Sequence, residues 1–544
     1  MARTIHRPNS GARLSRHRTI DIALHQAESG NSCDKPAEAP VFPIGLTQVK
    51  EPPEALGYRA KHDVDNSFRQ PPHEPPMSLA ALSTSGWDRQ LIEKYDVAGP
   101  RYTSYPTALQ FNERFGAEDY RRLWQRQSTS IAPSIAPLSL YFHIPFCENI
   151  CYYCACNKVV TRQKEKARHY LNYLEKEIAL QSALVGSRRP VTQMHWGGGT
   201  PTFLDAAELT ELMHAIASHF HLLDNDSREY AIEVDPRTVD RQRLALLKGL
   251  GFNRISLGIQ DFDERVQRAI NRVQSPLLVQ ALVEATRAFG FKSLGFDLIY
   301  GLPYQSVDSL RRTLDQVLEL GPDRIALYNY AHLPARFPSQ RAIDRLTLPS
   351  AAEKLSMAQM ANETLTAAGY VHIGMDHFVR AQDELALAQR NGHLQRNFQG
   401  YSICMAPDLI GMGVSAISST ADAFAQNSKS IDDYCARLDR GELPIERGLW
   451  LDDDDRIRRH VIAEIICNLG IDFDALDRRF GIDSRSYFRG ESEALAALAG
   501  DGLIQLDNNR LQVTPRGRPL LRVICMVFDR YSAQAPAQRF SRVL

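Results

Sequence analysis

Ser139-Leu-Tyr-Phe142 runs directly into His143-Ile-Pro-Phe-Cys147-Glu-Asn-Ile-Cys151-Tyr-Tyr-Cys154-Ala-Cys156. The first four residues read as a short buried strand, and the loop behind them holds four of the chain's nine cysteines. Comparable runs return near Thr192–Trp196, Tyr230–Val234, Arg254–Ile259, Gly295–Ile299 and Arg324–Tyr328. Between them apolar residues fall at helical spacing: Leu171, Leu174, Ile178 and Leu180, then Leu209, Leu212 and Ile216, then Leu244, Leu246, Leu247 and Leu250. Strand–helix alternation over six units implies parallel strands joined by right-handed crossovers. Six units are too few for a closed eight-stranded barrel. The expected fold is therefore α/β, a partial (β/α)6 barrel. Such sheets carry their chemistry at the carboxyl ends of the strands, which is where the cysteine loop begins.

Three thiolates at the spacing Cys-x3-Cys-x2-Cys can ligate three irons of a [4Fe–4S] cluster and leave the fourth iron open for a substrate or cofactor. The competing reading is a zinc knot, which usually needs two separated pairs or added histidines. Cys147, Cys151 and Cys154 form the expected ligand set. Cys156 lies only two residues past Cys154 and is left out of it. Gly197-Gly-Gly-Thr-Pro201 follows the second strand, where glycines allow close backbone approach and exposed peptide groups can hold a zwitterion. Glu233 ends the third strand and Gln260 the fourth. Arg272 follows shortly, Asp297 lies in the fifth strand, and Ala331 follows the sixth. Each alone could be a strand-end polar or packing residue; together they mark the expected catalytic rim.

The 544 residues carry 64 Lys+Arg and 64 Asp+Glu, a formal charge of zero, which argues against retention on nucleic acid or membrane by bulk electrostatics. No apolar run reaches 18 residues. The odd, clustered cysteines suit a metal or redox site in a reducing compartment better than a secreted disulfide framework. Residues 1–76 hold 10 of the 29 prolines and only three aromatics, Phe42, Tyr58 and Phe68, and read as a disordered extension. Five arginines and no acid in the first 18 residues raise a transit peptide as an alternative; a start at Met77 is another. Order is expected from Trp87, with a short helix through Leu91 and Tyr95 capped near Ser85. Gly99–Pro106 is expected as a strap, over either the core or the substrate site. The expected division is 1–76 extension, 77–137 strap, 138–429 barrel with extension, and 430–544 a small helical C-terminal domain. In that last part a helix over Ile457–Leu469 and a hairpin, Leu503–Leu506 with Leu511–Val513, suggest a winged-helix-like unit. A DNA-binding role for it fits poorly with zero net charge.

Cys-x3-Cys-x2-Cys with an aromatic at Tyr153 resembles the radical S-adenosylmethionine (SAM) superfamily. Arg101-Tyr-Thr-Ser-Tyr-Pro106, Cys154-Ala-Cys-Asn157, His195-Trp-Gly-Gly-Gly-Thr-Pro201, Glu233-Val-Asp-Pro236, Asp297-Leu-Ile-Tyr-Gly-Leu-Pro303, Asn329-Tyr-Ala-His-Leu-Pro334 and Gly374-Met-Asp-His-Phe378 narrow the resemblance. So do Arg396-Asn-Phe-Gln-Gly-Tyr401, Gly411-Met-Gly-Val-Ser-Ala-Ile-Ser418 and the closing Arg539-Phe-Ser-Arg-Val-Leu544. Together they are similar to the oxygen-independent coproporphyrinogen III oxidases of haem biosynthesis. Ala155 departs from that pattern, which has glycine there; the extra methyl leaves the ligands in place.

The resemblance implies that coproporphyrinogen III loses carbon dioxide from two propionates, which become vinyl groups, after a 5′-deoxyadenosyl radical removes hydrogen. It implies two SAM molecules. Tyr141, Gly198, Glu233 and Ile417 match contacts of the first, with Tyr141 and Glu233 nearest the catalytic event. Tyr153, Gly199, Thr200, Gln260, Arg272, Asp297 and Ala331 match contacts of the second. Arg101 and Arg396 are candidate partners for the substrate carboxylates. A flavodoxin- or ferredoxin-like electron donor, an unnamed acceptor and a cytoplasmic monomer without nucleic-acid or membrane partners are expected. The alternatives are a haem chaperone or an anaerobic haem-degrading enzyme of the same superfamily, and more distantly a plain iron–sulfur electron carrier. The chaperones lack both the Arg101–Pro106 strap and the second cysteine of Cys154–Asn157.

Overall fold

In the computed structural model, residues 88–128, 136–186, 188–404 and 406–532 are described. The expectations for residues 1–76, Met77, Ser85, Trp87 and the closing Arg539–Leu544 lie outside them. Six parallel strands form the centre: β1 (Leu138–Ile144), β2 (Pro190–Gly198), β3 (Glu229–Val234), β4 (Arg254–Gln260), β5 (Ser293–Tyr300) and β6 (Arg324–Asn329). They pair in chain order, each parallel to the next. All six expected runs fall within them. β1 is buried at six of its seven positions, as a parallel strand covered on both faces should be.

Helices α1 (Glu165–Val185), α2 (Ala206–His219), α3 (Arg241–Gly249), α4 (Pro276–Ala288), α5 (Val307–Leu320) and α6 (Ala351–Ala367) lie between and after the strands. Most of the side chains expected on their inner faces are buried, among them Leu171, Leu174 and Ile178 of α1, Leu209, Leu212 and Ile216 of α2, and Leu244 and Leu247 of α3, whereas Leu180, Leu246 and Leu250 are half-buried at the core's edge. Their starts are set by local chemistry. Asp205, Ser306 and Ser350 close reciprocal capping boxes on α2, α5 and α6. Each satisfies main-chain N–H groups that the first helical turn leaves without partners.

The sheet continues past both edges of the six-stranded centre. The antiparallel pair β7 (Tyr370–Gly374) and β8 (His377–Arg380) adds to β6. On the other side β9 (Asp408–Met412) runs parallel to β1, followed by antiparallel β10 (Ile417–Ser419), β11 (Ala423–Asn427) and β12 (Ile445–Trp450). A helix over Asp453–Asn468, two more short helices, a helix over Ser492–Gly500 and a three-stranded sheet follow. The strands Ile504–Leu506 and Arg510–Val513 match the expected hairpin, and Asp507 shapes its turn by accepting from the N–H groups of Asn509 and Arg510.

The strap belongs to this C-terminal part. Tyr102 and Tyr105, each 3% exposed, are buried in the same apolar core as Ile462, Ile465, Leu511 and Ile524. Tyr102 donates to Asp529 Oδ2 at 2.9 Å. The helix before the strap, Arg89–Tyr95, is capped by Asp88. Among the described residues no helix is long and apolar enough to cross a membrane.

Candidate active site

The cysteine loop leaves the carboxyl end of β1 and is pinned along its length. Phe146–Cys147 pairs with Val159–Val160, and Thr161 N donates to Cys147 O at 2.9 Å. Asn271 Nδ2 holds Ile150 O at 2.7 Å, Tyr152 N reaches Ile270 O at 3.0 Å, and Cys154 N closes on Cys151 O at 3.1 Å. Among the described residues no three His, Cys, Asp or Glu side chains converge as ligands of a single ion would. A cubane asks for another arrangement, with each thiolate reaching a different iron.

The surroundings suit such a cluster. Arg272 Nη1 lies 3.5 Å and Arg237 Nη2 3.8 Å from Cys151 Sγ. Both guanidiniums share the carboxylate of Asp235, at 3.0 and 2.7 Å. Burial would raise Asp235, but Arg272 and Arg237 hold it below the usual carboxylate range. Burial pushes the Cys147 thiol up to about 11, although Thr200 Oγ1 lies 3.5 Å from its sulfur. A hydrogen bond from Cys156 and the charge of Lys158 instead bring Cys154 down to about 6, against its own burial. Three soft sulfurs, with guanidiniums beside Cys151 and Lys158 beside Cys154, on a loop fixed by the main chain, fit a bound iron–sulfur cluster.

The glycines of the second loop have a packing reason of their own. A Cβ on Gly199 would lie 2.6 Å from the carbonyl of Pro145, and one on Gly198, at φ +111°, would lie 2.6 Å from the His143 ring. One on Gly197 would meet Glu233 Oε1 at 2.8 Å. Gly199 N and Thr200 N donate to Ile144 O and Phe146 O at 2.8 and 2.9 Å. The two loops thus lie backbone to backbone, and any side chain would separate them.

Tyr141, Gly198 and Glu233 come together. Glu233 accepts from His195 Nε2 at 3.0 Å and from Gly198 N at 3.2 Å. Desolvation pulls this carboxyl up, but His195 and the Gly198 amide keep it below its ordinary value. The Tyr141 ring stacks on His195, with centroids 5.9 Å apart. His143 Nε2 lies 2.9 Å from the carbonyl of Asn157, so that nitrogen carries the hydrogen and Nδ1 accepts from Tyr141 OH at 3.0 Å. Burial holds His143 neutral and Tyr141 a phenol. Ile417 stands across β9 from Tyr141: Gly411 pairs with Tyr141, and a Cβ on Gly411 would touch Ile417 O at 2.5 Å.

The second group is more spread. Gln260 has φ +68° at an irregularity between β4 and β5, and its amide and Arg272 Nη2 both crowd Gly258. Asp297 accepts from Ser256 Oγ at 2.8 Å; burial and nearby Glu233 push it up to about 6. Tyr153 and Ala331 are joined by a residue without a conspicuous sequence signal. The buried Gln340 donates to the carbonyl of Tyr153 at 3.1 Å and to that of Ala331 at 3.2 Å. Asp235, His143 and His195 lie within the quoted motifs and Arg237 directly follows one, but none was singled out, because their roles depend on contacts that form only in the fold.

Arg101 lines a cavity whose walls do not include Arg396. Arg101 Nη2 donates to Asn329 O at 2.9 Å outside the barrel wall. Arg396 lies over the Tyr401 ring at 4.8 Å, with its buried Nε and Nη1 making no hydrogen bond.

The Radical SAM superfamily model matches residues 141–317, and the HemN C-terminal domain model matches residues 451–520. The oxygen-independent coproporphyrinogen III oxidase of Pseudomonas aeruginosa is 51% identical over 463 residues, covering 85% of this chain and all of the relative. The chain belongs to the oxygen-independent coproporphyrinogen III oxidases. The Escherichia coli K12 member is 48% identical over 84% of this chain and 98% of its own. The solved structure of the Escherichia coli coproporphyrinogen III oxidase, described as a radical SAM enzyme, superposes with a TM-score of 0.77 at 46% identity. It covers 82% of this chain and 99% of that one. Membership of this oxidase family brings a [4Fe–4S] cluster and SAM to the pinned cysteine loop described above.

Proposed function

We infer that this chain is an oxidoreductase of porphyrin and haem biosynthesis that converts coproporphyrinogen III to protoporphyrinogen IX without oxygen. The observation that carries the reading is the three-thiol loop packed against the glycine loop at the carboxyl end of a six-stranded parallel barrel, in a chain 51% identical to a named oxidase of this kind. Removing hydrogen from an unactivated propionate carbon is beyond any side-chain base. Bound at this loop, the cluster and SAM supply a carbon-centred radical able to take it.

The protein's own part is placement. Cys147, Cys151 and Cys154 would hold the cluster, with Arg272 and Arg237 beside Cys151. Glu233 presents a fixed, ionised carboxylate to the amine of the first SAM, and the Tyr141 phenol borders the same space. Gly198 and Ile417 complete that set. Tyr153, Gly199, Thr200, Gln260, Arg272, Asp297 and Ala331 are proposed for a second SAM. Tyr152 and Tyr153 pack against an apolar cluster that includes Ile270, Ile299 and Tyr330, and this cover beside the cysteine loop would help exclude water from the reaction.

The domain division at 77–137, 138–429 and 430–544 remains part of the proposal, with the central sheet reaching Trp450. So do an electron donor of the flavodoxin or ferredoxin kind, a separate electron acceptor and a cytoplasmic monomer. The test is anaerobic turnover with dithionite, SAM and coproporphyrinogen III, followed by mass spectrometry. Protoporphyrinogen IX is expected from the wild type and none from Cys151→Ala. Formation of 5′-deoxyadenosine with untouched tetrapyrrole would keep the radical machinery and remove the substrate.

A further inference from the structure

A short 3-10 turn over Pro338–Ala342 follows the loop that leaves the end of β6, and it lies against the cysteine loop. At its centre is Gln340, 2% exposed. The side-chain amide makes three hydrogen bonds, all to main chain. Nε2 donates to Tyr153 O at 3.1 Å and to Ala331 O at 3.2 Å, and Oε1 accepts from Leu333 N at 2.6 Å. Two carbonyls need the nitrogen and one N–H needs the oxygen, so the partners fix which way the amide points. Ser339, the residue before it, donates through Oγ to Cys154 O at 2.9 Å, a carbonyl that Lys158 Nζ also reaches at 3.2 Å. Ile343, directly after the turn, is buried in the apolar cluster against which Tyr153 packs.

These contacts tie together segments far apart in the chain: Cys154 with its neighbour Tyr153, the loop at Ala331, and the turn itself. Tyr153 and Ala331 are both ascribed above to the second SAM, and Gln340 holds each by its main-chain carbonyl. The first group is held elsewhere. Glu233 accepts from His195 and Gly198 N, and Tyr141 donates to His143. The cysteine loop also has its own fastenings, at Asn271, Ile270 and Thr161. Removing the Gln340 amide therefore leaves the cluster ligands and the first group supported. What it releases is the spacing between Tyr153 and Ala331, because two part-buried carbonyls lose their donor and Leu333 N loses its acceptor.

We propose that Gln340 is a positioning residue for the second SAM. With Ser339 it clamps the loop at Ala331 to the Tyr153–Cys154 end of the cysteine loop, and so sets the spacing of the two main-chain segments assigned to that molecule. The proposal rests on the two-SAM reading above. Gln340 itself acts only through Tyr153 and Ala331. A seat whose two sides are already joined needs no further ordering when its ligand arrives, which favours affinity. The first SAM, bordered by Glu233, Tyr141 and Gly198, does not depend on this clamp.

The test counts bound SAM by anaerobic equilibrium dialysis of radiolabelled SAM with cluster-loaded wild type, Gln340→Met and Gln340→Glu. Methionine keeps the length and removes every hydrogen-bonding atom of the amide. An ionised glutamate keeps the acceptor for Leu333 N and removes both donors. Iron content and thermal unfolding show that each variant is loaded and folded. Wild type is expected to bind two SAM molecules per chain. Each variant should bind one with wild-type affinity and the other about tenfold more weakly, the scale of one lost hydrogen bond. The change that SAM causes in the electron paramagnetic resonance signal of the reduced cluster reports the first molecule and should match wild type in both variants. In turnover the effect should fall on the KM for SAM rather than on kcat. Unchanged affinity at both sites in the two variants would overturn the proposal. So would equal weakening of both sites with loss of the spectral change, or loss of iron, since Gln340 would then support the cysteine loop as a whole. Wild type that binds a single SAM would remove the second-SAM reading, and the proposal with it.

Discussion

Glu177 of α1 is fully buried beneath the site, and Glu177→Gln is a perturbation whose effect can be worked out. Its carboxylate accepts from Gly413 N at 2.7 Å, Tyr434 OH at 2.6 Å and Asn427 Nδ2 at 2.7 Å. The next residue, Val414, is held through its N–H by Tyr170 OH, which itself donates to His143 O. This buried carboxylate therefore anchors the strand end that carries Tyr141 and His143. Burial outweighs the three hydrogen bonds and pushes Glu177 up to about 7 from an ordinary 4.5. Between those values the folded chain keeps a proton that the unfolded chain has released. The contribution of Glu177 to stability is then highest below about pH 4.5, falls as the pH rises to about 7, and is level beyond. Over that window the loss is about 3 kcal/mol, at about 1.36 kcal/mol per pH unit.

The glutamine variant cannot titrate. It also turns one acceptor into a donor facing donors, a pH-independent cost of about 1–3 kcal/mol. The assay is therefore the difference in unfolding stability between wild type and variant across the pH range, on cluster-free protein. The wild-type advantage should shrink by about 3 kcal/mol between pH 4.5 and 7.5 and then stay constant. Parallel curves for the two proteins would refute the reasoning.

Gly198→Ala places a methyl group 2.6 Å from the His143 ring at φ +111° and forces the ring away from Tyr141. Formation of 5′-deoxyadenosine should fall about tenfold or more, a barrier rise of about 1.4 kcal/mol, with iron content retained; an undiminished rate would contradict this. Asp235→Asn strips the carboxylate from Arg237 and Arg272, both 22% exposed or less. Breaking a buried pair of this kind costs about 3 kcal/mol, readable as a lower unfolding midpoint. Tyr102→Phe leaves the buried Asp529 without its phenol donor. It should cost about 1–3 kcal/mol and make the strap more susceptible to limited proteolysis.

The six central strands were legible because each is a short apolar run with glycine or polar punctuation, and α2 was legible in the helical spacing of Leu209, Leu212 and Ile216. The cysteine spacing and the glycine loop were legible because backbone constraints are local in sequence. The strands β9 to β12 were not. Asp408-Leu-Ile-Gly-Met412 is short and has no alternation to betray a strand, and β9 becomes one by pairing with β1, some 270 residues earlier. Nor was the support around the thiols. Asp235 joins Arg237 to Arg272, and Gln340 joins Tyr153 to Ala331, only after folding brings distant segments together. The strap shows the same limit. Its tyrosines signalled burial, but their partner, the C-terminal core, was not visible from the segment itself.

The central claim is that residues at this rim direct radical chemistry at the propionate side chains. The most direct measurement uses coproporphyrinogen III deuterated at the propionate carbons next to the rings, in anaerobic single turnover with SAM. Deuterium should appear in 5′-deoxyadenosine as deuterated substrate is consumed and vinyl product forms. Vinyl product with no deuterium in 5′-deoxyadenosine, or deuterium transfer that survives in Cys151→Ala, would contradict the account.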